Sequence, residues 1–374
     1  MTQAARLLIL SFSSIATDPR VLKQVRYLTD RYEVTTCGYG PAPEGVADHV
    51  ELPAGRTNKL DGRLITLRAY RAALWRQNGM RTARSLLSGR EFDAVLANDI
   101  EAVPVALGLK PRGGVHADMH EFFPRWREDD PLWRKRIGPY YRYLCRRYLP
   151  RAAAVTTVSG GIARAYTELT GADVGVVTNA TPFHDLSPTP VATPIRVVHS
   201  GASIRRRHLD RMIEAAGKAA DAVTLDLYLV KHDPACFDEL QALAATTSNV
   251  RVLDPVPYES LIDTLNGYDV GLYVLPATGF NHEHALPNKI FDYVQARLGI
   301  VVGPSPEMAQ VVREHELGDV TDTFEVDDVA ATLRALEAER VERWKSAAHT
   351  AATELAAERA LEGWGRPIAH MVGA

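Results

Sequence analysis

Short, continuous apolar runs alternate with helical patterns along almost the whole chain. Leu7–Ser11, Ala94–Ala97 and Ile300–Gly303 are three such runs, and each is followed by a segment with helical periodicity. Strands that are covered on both faces have this apolar character, and helices between them make neighbouring strands parallel. The pattern therefore predicts an α/β chain built on parallel sheets, and it restricts the available folds more than any other feature.

The chain is too long for one ordinary core, and one stretch of it suits a linker. Its 374 residues predict two domains. Between the two series of strands lie four spaced prolines, Pro182, Pro188, Pro190 and Pro194. Proline holds a chain extended and interrupts regular structure. We therefore predict a first domain over residues 1–185, a second over residues 186–350, and a C-terminal helix over residues 351–374 that packs back towards the first domain.

Several helices can be placed from the residues at their ends. Asp18 is a good N-cap and Pro19 suits the first helical position, so a helix is predicted from Pro19 to Leu28. A basic helix is predicted from Arg63 to Arg90 and another helix from Lys289 to Arg297. The chain is predicted to be helical from Val329 onward.

Composition excludes a disordered, a disulfide-rich and a membrane-spanning chain. Apolar residues make up 46% and charged residues 24%, which is the balance of a globular protein. The three cysteines lie far apart without a CxxC pair, which argues against a disulfide framework and a zinc site. No segment approaches the roughly 18 apolar residues that cross a bilayer, and the run Leu7–Leu10 is shorter than a signal-peptide core. We therefore expect a cytoplasmic protein.

Positive charge is concentrated in the first half of the chain. Residues 1–190 carry a formal net charge of +7 and the remainder −10, which suggests different partners for the two halves. Nine basic residues stand among six aromatic residues between Arg125 and Arg151. Such a stretch suits an anionic bilayer surface, so we predict peripheral contact with the inner face of a membrane. The alternative is a solvated helix with its aromatic side chains packed inward. No nucleic-acid-binding module is visible, so no nucleic acid partner is expected.

A phosphate site is predicted in the second half rather than the first. The first strand is not followed by GxGxxG, which weakens a dinucleotide-binding interpretation. After the strand Ile195–His199, however, Gly201 precedes Arg205, Arg206 and Arg207. A glycine lets backbone approach a ligand, and an arginine can hold two phosphate oxygens. The alternative is that the three arginines form solvated surface.

The segment from His284 to Tyr293 predicts a second part of the same site. Pro287 begins a helix, Lys289 places a cation near its start, and Asp292 lies one turn further on the same face. A helix N-terminus with a lysine suits a diphosphate, and a carboxylate suits a pair of ribose hydroxyls. The alternative is a capped surface helix with a local Lys–Asp pair.

Eight segments, in order along nearly the whole chain, carry a family resemblance. They are Asp18–Val21, Asn98–Asp99, Asp118–Glu121, Thr157–Ile162, Thr178–Ala180, Gly201–Arg207, Leu286–Tyr293 and Pro304–Met308. Together they resemble the retaining glycosyltransferases of family 4, in particular a subgroup with a PNK motif. The resemblance predicts the GT-B architecture, in which two doubly wound, Rossmann-like domains face a central cleft. It also implies metal- and cofactor-independent transfer of a hexose-like sugar, with retention, from a nucleoside-diphosphate sugar to a glycan, lipid-linked or small-molecule acceptor.

The same resemblance implies roles for individual residues. Arg207 and Lys289 would hold the diphosphate, and Asp292 would bind the ribose. His120 would meet the sugar or the acceptor, where a neutral imidazole can accept a proton, and it completes the predicted catalytic set. The remaining donor-binding candidates are Gly201, Tyr258, His284, Pro287 and Asn288. The acceptor-side candidates are Arg20, Asp99 and Glu121.

Three of the departures from the family pattern bear on the function. His284 and Asp292 stand where two glutamates are usual, and Ala202 stands where an arginine commonly follows the loop glycine. These departures keep two other functions open: a nucleotide-sugar 2-epimerase of the same fold, and a non-catalytic, nucleotide-sugar-binding regulatory protein. No metal site is expected, because His282-Glu283-His284 lacks the helical HExxH spacing.

Overall fold

The computed structural model describes residues 4–55 and 58–373. These residues form two compact units. The first unit contains the chain up to Thr178, the short segment Gly279–Asn281 and the chain from Leu361 onward. The second unit contains Asn179–Thr278 and His282–Ala360.

The first unit is built on a seven-stranded sheet, counted over the described residues, in which neighbouring strands run parallel. Its strands are β1 (Arg6–Ser14), β2 (Glu33–Tyr39), β3 (Asp48–Leu52), β4 (Ala94–Asn98), β5 (Val115–Met119), β6 (Ala154–Thr157) and β7 (Val174–Val176). They lie in the order β3-β2-β1-β4-β5-β6-β7. The order reverses at β1, as in a doubly wound fold.

The second unit repeats this topology with six strands in its described part. They are β8 (Ile195–Ala202), β9 (Val223–Val230), β10 (Val250–Leu253), β11 (Val270–Tyr273), β12 (Gly299–Val302) and β13 (Gly318–Val320). Their order, β10-β9-β8-β11-β12-β13, reverses at β8, and the pairings are again parallel. The prediction of two doubly wound, parallel α/β domains is confirmed.

Helices connect the strands in both units. Those up to β7 are α1 (Pro19–Thr29), α2 (Gly62–Thr66), α3 (Tyr70–Arg76), α4 (Asn78–Leu86), α5 (Asp99–Leu109), α6 (Pro131–Arg136), α7 (Gly138–Tyr148) and α8 (Gly160–Thr170). The later ones are α9 (Leu209–Lys218), α10 (Pro234–Ala245), α11 (Tyr258–Asn266), α12 (Phe280–Glu283), α13 (Asn288–Gln295), α14 (Pro306–Glu314), α15 (Val326–Arg334), α16 (Ala338–Ala351) and α17 (Ala357–Val372).

The apolar strands of the first sheet are buried on both faces. Successive residues of a strand point to opposite faces. In β1, Leu8 and Leu10 belong to one apolar cluster, whereas Leu7 and Ile9 belong to another. All four side chains are fully buried. Burial on both faces explains why the strand has a continuous apolar sequence instead of an alternating one.

The end signals of α1 and α13 act as the sequence predicts, with small shifts. The Asp18 carboxylate accepts hydrogen bonds from the backbone N–H groups of Arg20 and Val21, so the predicted cap is confirmed. Helix α13 ends at Gln295, two residues before the predicted end, because Arg297 has a φ of 60°. The Arg297 guanidinium then donates to the last carbonyl groups of the helix.

The predicted basic helix from Arg63 to Arg90 is wrong. The segment forms three short helices, α2, α3 and α4. Arg68 between the first two has a left-handed backbone with φ 54°, and Gln77 between the next two is extended. Strands β3 and β13 were missed as well, because Asp48–Leu52 and Gly318–Val320 lack an apolar run.

The two units divide at a different residue from the predicted domain boundary at 185. The second unit already begins at Asn179, because Thr181 donates to Asp292 and the His184 N–H donates to Gln295. At the other end, the chain from Leu361 onward belongs to the first unit. There Trp364 is buried, and the guanidinium of Arg20 lies 4.8 Å from the centroid of its ring.

Candidate functional site

A cavity of about 620 Å³ opens at one edge of the second sheet. It is lined by residues at the carboxyl ends of β8, β9 and β11, by the loop after β10, and by the start of α13. Strands β8 and β11 are neighbours in the sheet although two other strands separate them in sequence. Ligands of doubly wound sheets bind at such a switch point, and the volume suits a small-molecule ligand.

Arg207 supplies one cation to this cavity. It belongs to a single helical turn, Arg205–Arg207, which is followed by His208 in the left-handed conformation (φ 50°). Arg205 is held elsewhere by the Glu239 carboxylate, and Arg206 is exposed. Arg207 has no carboxylate partner among the described residues. Its guanidinium is therefore available to an anionic ligand.

Lys289 supplies a second cation at the start of α13. The N-cap of this helix is Pro287, which offers no side-chain acceptor to the first N–H groups. Such a helix end favours a bound anion. The Lys289 ammonium donates to Asp292 at 3.1 Å, and the other carboxylate oxygen of Asp292 accepts from the Thr181 hydroxyl at 2.6 Å. This hydrogen bond to Asp292 therefore fixes the orientation of the Lys289 side chain.

Six of the predicted donor-binding residues line this one cavity. They are Gly201, Arg207, Tyr258, Pro287, Asn288 and Lys289. Two others do not line it. Asp292 is buried with both oxygens engaged, and its predicted contact with a ribose stays a prediction. The His284 ring faces Glu307, with 3.2 Å between Nδ1 and Oε1.

Aromatic and apolar residues line the cavity together with its cations. Tyr258, Pro255 and Val256 line it, and the Tyr258 side chain is 58% exposed. A flat, exposed aromatic ring is a stacking surface for a planar ligand group such as a base. The cavity thus combines a cationic part with a part that suits a nucleobase.

Polar groups at the carboxyl ends of the strands were not predicted from the sequence. Ser200 lines the cavity, and its buried Oγ has no hydrogen-bond partner among the described residues. His199 precedes it, and its buried Nε2 also lacks a partner there. Tyr228 and Tyr273 line the cavity from the two neighbouring strands. The position of Ser200 directly before Gly201, at the end of a predicted strand, is the signal that could have found it.

A buried polar cluster lies at the carboxyl ends of β4 and β5 in the first unit. The Asp118 carboxylate accepts two hydrogen bonds from Arg20, at 2.7 and 2.8 Å. It also accepts from Gln24 at 2.9 Å and from Thr156 at 2.7 Å. Although burial alone would raise it, the charge and hydrogen bonds of Arg20 hold the pKa of Asp118 well below its usual range. The predicted acceptor-side residue Arg20 is thus an internal ion-pair partner.

The other acceptor-side candidates surround His120. The His120 backbone N–H donates to Asp99 at 3.0 Å, and its ring Nε2 lies 3.2 Å from the Asn98 side-chain oxygen. Burial lowers the pKa of His120, but the Asp99 and Asp118 carboxylates outweigh it and the net pKa is raised. Burial raises the pKa of Asp99, which has a left-handed φ of 64°. Glu121 follows His120, and its carbonyl accepts a hydrogen bond from the Tyr166 hydroxyl.

Replacing His116 is expected to change how the stability of the first unit depends on pH. His116 is fully buried, and burial lowers its pKa to about 4, although Asp118 opposes this. Between pH 6.5 and 4 the unfolded chain therefore binds a proton that the folded chain does not, so acidification destabilises the fold. From pH 8 to pH 5, wild type should lose about 2 kcal/mol more unfolding free energy than His116→Gln in urea titrations. Equal losses of unfolding free energy in wild type and His116→Gln would contradict this prediction. So would an exposed control, His370→Gln, that differs from wild type as much as His116→Gln does.

The basic and aromatic stretch from Arg125 to Arg151 packs most of its rings inward. Trp133, Tyr140, Tyr141 and Tyr148 are buried in the core of the first unit, whereas Trp126 is 46% exposed. The packing therefore agrees with the alternative to membrane contact, in which the aromatic side chains of this stretch pack inward. None of the described helices is long and apolar enough to span a membrane.

The described part of the chain offers neither a cluster of metal ligands nor a disulfide. It contains no group of three or more His, Cys, Asp or Glu side chains arranged to hold a metal ion. Cys37, Cys145 and Cys236 are free and buried. Burial raises the pKa of the Cys37 thiol to about 12, so this thiol is not a ready nucleophile.

Comparison with solved structures identifies the fold, although no family model and no curated protein sequence matches the chain. Anabaena HepE, solved with UDP-glucose, has a TM-score of 0.71 at 13% identity, covering 98% of this chain and 99% of that one. The sucrose-phosphate synthase of Thermosynechococcus elongatus has a TM-score of 0.72 at 10% identity over 99% of both chains. A glycosyltransferase from Rickettsia africae has a TM-score of 0.72 at 9% identity over 100% and 99%.

The chain has the GT-B fold. Both Rossmann-like halves of a GT-B chain are present, one on the seven-stranded sheet and one on the six-stranded sheet. Within this GT-B chain, the cavity with Arg207 and Lys289 lies in the second unit. The predicted GT-B architecture is therefore confirmed, and membership of family 4 stays a prediction.

Proposed function

We propose that the protein is a glycosyltransferase that uses a nucleoside-diphosphate sugar as its donor. The observation that carries the proposal is that six predicted donor-binding residues, from three separate stretches of sequence, line one cavity. Two of these residues, Arg207 and Lys289, are cations, and the N-terminus of α13 lines the same cavity. The diphosphate is the part of such a donor that requires this charge.

The arrangement suggests how the donor would react. Arg207 and Lys289 would hold the diphosphate, and the N–H groups at the start of α13 would face it. These groups are fixed before reaction, so they stabilise the negative charge that grows on the leaving diphosphate. Tyr258 would lie against the base. The cations supply charge that a metal ion supplies in other transferases, which is why we propose metal-independent transfer.

Finer features of the proposal rest on the family resemblance. They are membership of family 4, retention at the anomeric carbon and transfer of a hexose. The acceptor would be a glycan, a lipid-linked molecule or a small molecule. His120, Asp99 and Glu121 would contact it, because His120 is a partly exposed base held by two neighbouring side chains.

A binding panel of UDP-, GDP- and dTDP-glucose tests the proposal. UDP-glucose is the first choice, because the similar Anabaena HepE was solved with it. One of these donors should raise the melting temperature by several degrees, since a ligand at 100 times its Kd stabilises by about 2.7 kcal/mol. The shift should persist with EDTA. No shift with any donor would refute the proposal.

Reaction products then separate the three functions that the sequence leaves open. A glycosyltransferase without acceptor should slowly hydrolyse its donor to nucleoside diphosphate and sugar. A 2-epimerase would convert the donor to its epimer and release no sugar. A regulatory protein would bind the donor and leave it unchanged over many hours. Chromatography of the nucleotide products after incubation distinguishes these outcomes.

A further inference from the structure

His199 is a buried residue of the second unit that the proposed donor site leaves unexplained. It lies near the carboxyl end of β8 and is fully buried. Its Nδ1 lies 3.0 Å from the Leu272 carbonyl oxygen, so Nδ1 carries the proton and donates it. In the neutral ring, Nε2 then presents a lone pair. This Nε2 is buried without a hydrogen-bond partner among the described residues. A buried acceptor without a partner lowers the stability of the fold, so it calls for a functional explanation.

His199 and Arg207 both border the space that a side chain at position 201 would fill. A Cβ atom added to Gly201 would lie 3.0 Å from His199 Nε2 and 3.4 Å from Arg207 Nη1. The two nitrogens therefore border one small gap, and only a glycine at position 201 leaves that gap open. Gly201 and Arg207 both line the cavity, so the gap lies at the cationic part of the site.

The groups that surround the ring favour a neutral, fixed imidazole. The Tyr273 ring stacks on it with centroids 5.7 Å apart and planes 15° apart. The Tyr293 hydroxyl donates to the same Leu272 carbonyl at 3.3 Å. Burial, together with the positive charges of Lys289 and Arg207, lowers the pKa of His199 to about 4, although the hydrogen bond to the Leu272 carbonyl opposes this. The lone pair on Nε2 is therefore present throughout the neutral range.

We propose that His199 is the positioning residue for Arg207: its Nε2 accepts a hydrogen bond from the Arg207 guanidinium when an anion occupies the cavity, and this aims the remaining N–H groups at the diphosphate. The inference rests on the proposed function, because it assumes a nucleoside-diphosphate ligand. A neutral Nε2 can accept from a guanidinium, but it has no proton to donate to a phosphate oxygen. This chemistry makes Arg207, rather than a phosphate oxygen, the partner of His199.

A double-mutant cycle with UDP-glucose tests whether His199 acts through Arg207. His199→Phe keeps a flat ring on Tyr273 and removes both nitrogens. In the wild-type background it should weaken UDP-glucose binding about 10- to 100-fold by calorimetry, the usual contribution of one hydrogen bond to a charged group. In the Arg207→Met background the same change should cost less than about twofold, because the group that it positions is gone. Equal losses in both backgrounds would show a merely structural role and overturn the proposal.

Two further variants are a conservative replacement, His199→Gln, and a control at an exposed histidine, His232→Gln. The glutamine amide oxygen offers an acceptor near the place of Nε2, so His199→Gln should bind UDP-glucose more tightly than His199→Phe. If His199→Phe does not fold, coupling of His199→Leu to Arg207→Met decides the question instead, because leucine also removes both nitrogens. His232→Gln should bind as wild type does.

The pH profile of binding separates an acceptor from a protonated donor. UDP-glucose is used because its substituted diphosphate does not titrate near neutrality. The ratio of wild-type to His199→Phe affinity should be constant within about twofold from pH 8 to pH 5.5, since Nε2 stays unprotonated over that range. A wild-type affinity that rises about tenfold on acidification, and does not rise in His199→Phe, would show a phosphate-bound imidazolium and overturn the proposal.

The experiment also distinguishes failure of this inference from failure of the proposed function. If wild type binds UDP-glucose and Arg207→Met weakens it, the donor site stands, and the cycle decides the role of His199 alone. If wild type binds none of the UDP-, GDP- and dTDP-sugars, the proposed function is refuted and this inference with it.

Discussion

Replacing Asp118 with alanine is expected to lower the free energy of unfolding of the first unit by about 3–5 kcal/mol. The change leaves the guanidinium of Arg20 buried without its carboxylate, since Arg20 and Asp118 are 6% and 0% exposed. It also removes the acceptor for the Gln24 amide and the Thr156 hydroxyl. A buried cation without its partner is among the most costly single changes in a protein. Asp118→Asn keeps the shape and part of the hydrogen bonding, so its loss should be smaller.

Urea unfolding followed by tryptophan fluorescence measures this effect. Four of the five tryptophans, Trp75, Trp126, Trp133 and Trp364, belong to the first unit, so the signal reports mainly on that unit. The matched control is Asp48→Ala, which breaks the exposed ion pair with Arg90 and should cost less than about 1 kcal/mol. An Asp118→Ala loss no larger than that of Asp48→Ala would show that the buried pair does not hold this unit together.

Replacing Lys289 with methionine is expected to weaken nucleotide-sugar binding about 10- to 100-fold. Methionine keeps much of the apolar stem and removes the ammonium, which is one of the two cations in the cavity. A charged hydrogen bond to phosphate contributes about 1.5–3 kcal/mol, which corresponds to that loss. The affinity for the donor found in the binding panel, measured by calorimetry, checks the prediction.

Two further variants make this result specific. Lys289→Arg keeps the charge and should recover most of the affinity. Lys218→Met removes an exposed lysine that pairs with Asp327 and does not line the cavity, and it should bind as wild type does. The change leaves the buried Asp292 carboxylate with its hydrogen bond from Thr181 but without the ammonium, so Lys289→Met should be less stable than wild type, and its melting temperature will show that it is folded. A folded Lys289→Met protein with wild-type affinity would remove Lys289 from the donor site.

Much of the fold could be predicted from sequence because its causes are local. A run such as Leu7–Ser11 is apolar because the strand is covered on both faces, and that property is visible in the run itself. The α1 cap depends on Asp18 and on two N–H groups within three residues of it. The predictions failed where the local signal was absent, as in the polar strand Asp48–Leu52. They also failed where one residue broke a helical pattern, as Arg68 does with its left-handed φ.

By itself the sequence determined two parallel α/β units and the segments that line the cavity, because strands, caps and motifs are set by residues near one another in the chain. Only the tertiary structure decided which side chains face that cavity. Of the three adjacent arginines, Arg207 lines the cavity, whereas Arg205 is bound by Glu239, which lies thirty-four residues further along the chain. Asp292 does not line the cavity, and its carboxylate accepts a hydrogen bond from Thr181, which is 111 residues away in the sequence. These side-chain pairs join groups that folding brings together from distant parts of the chain, so no local sequence pattern predicts them.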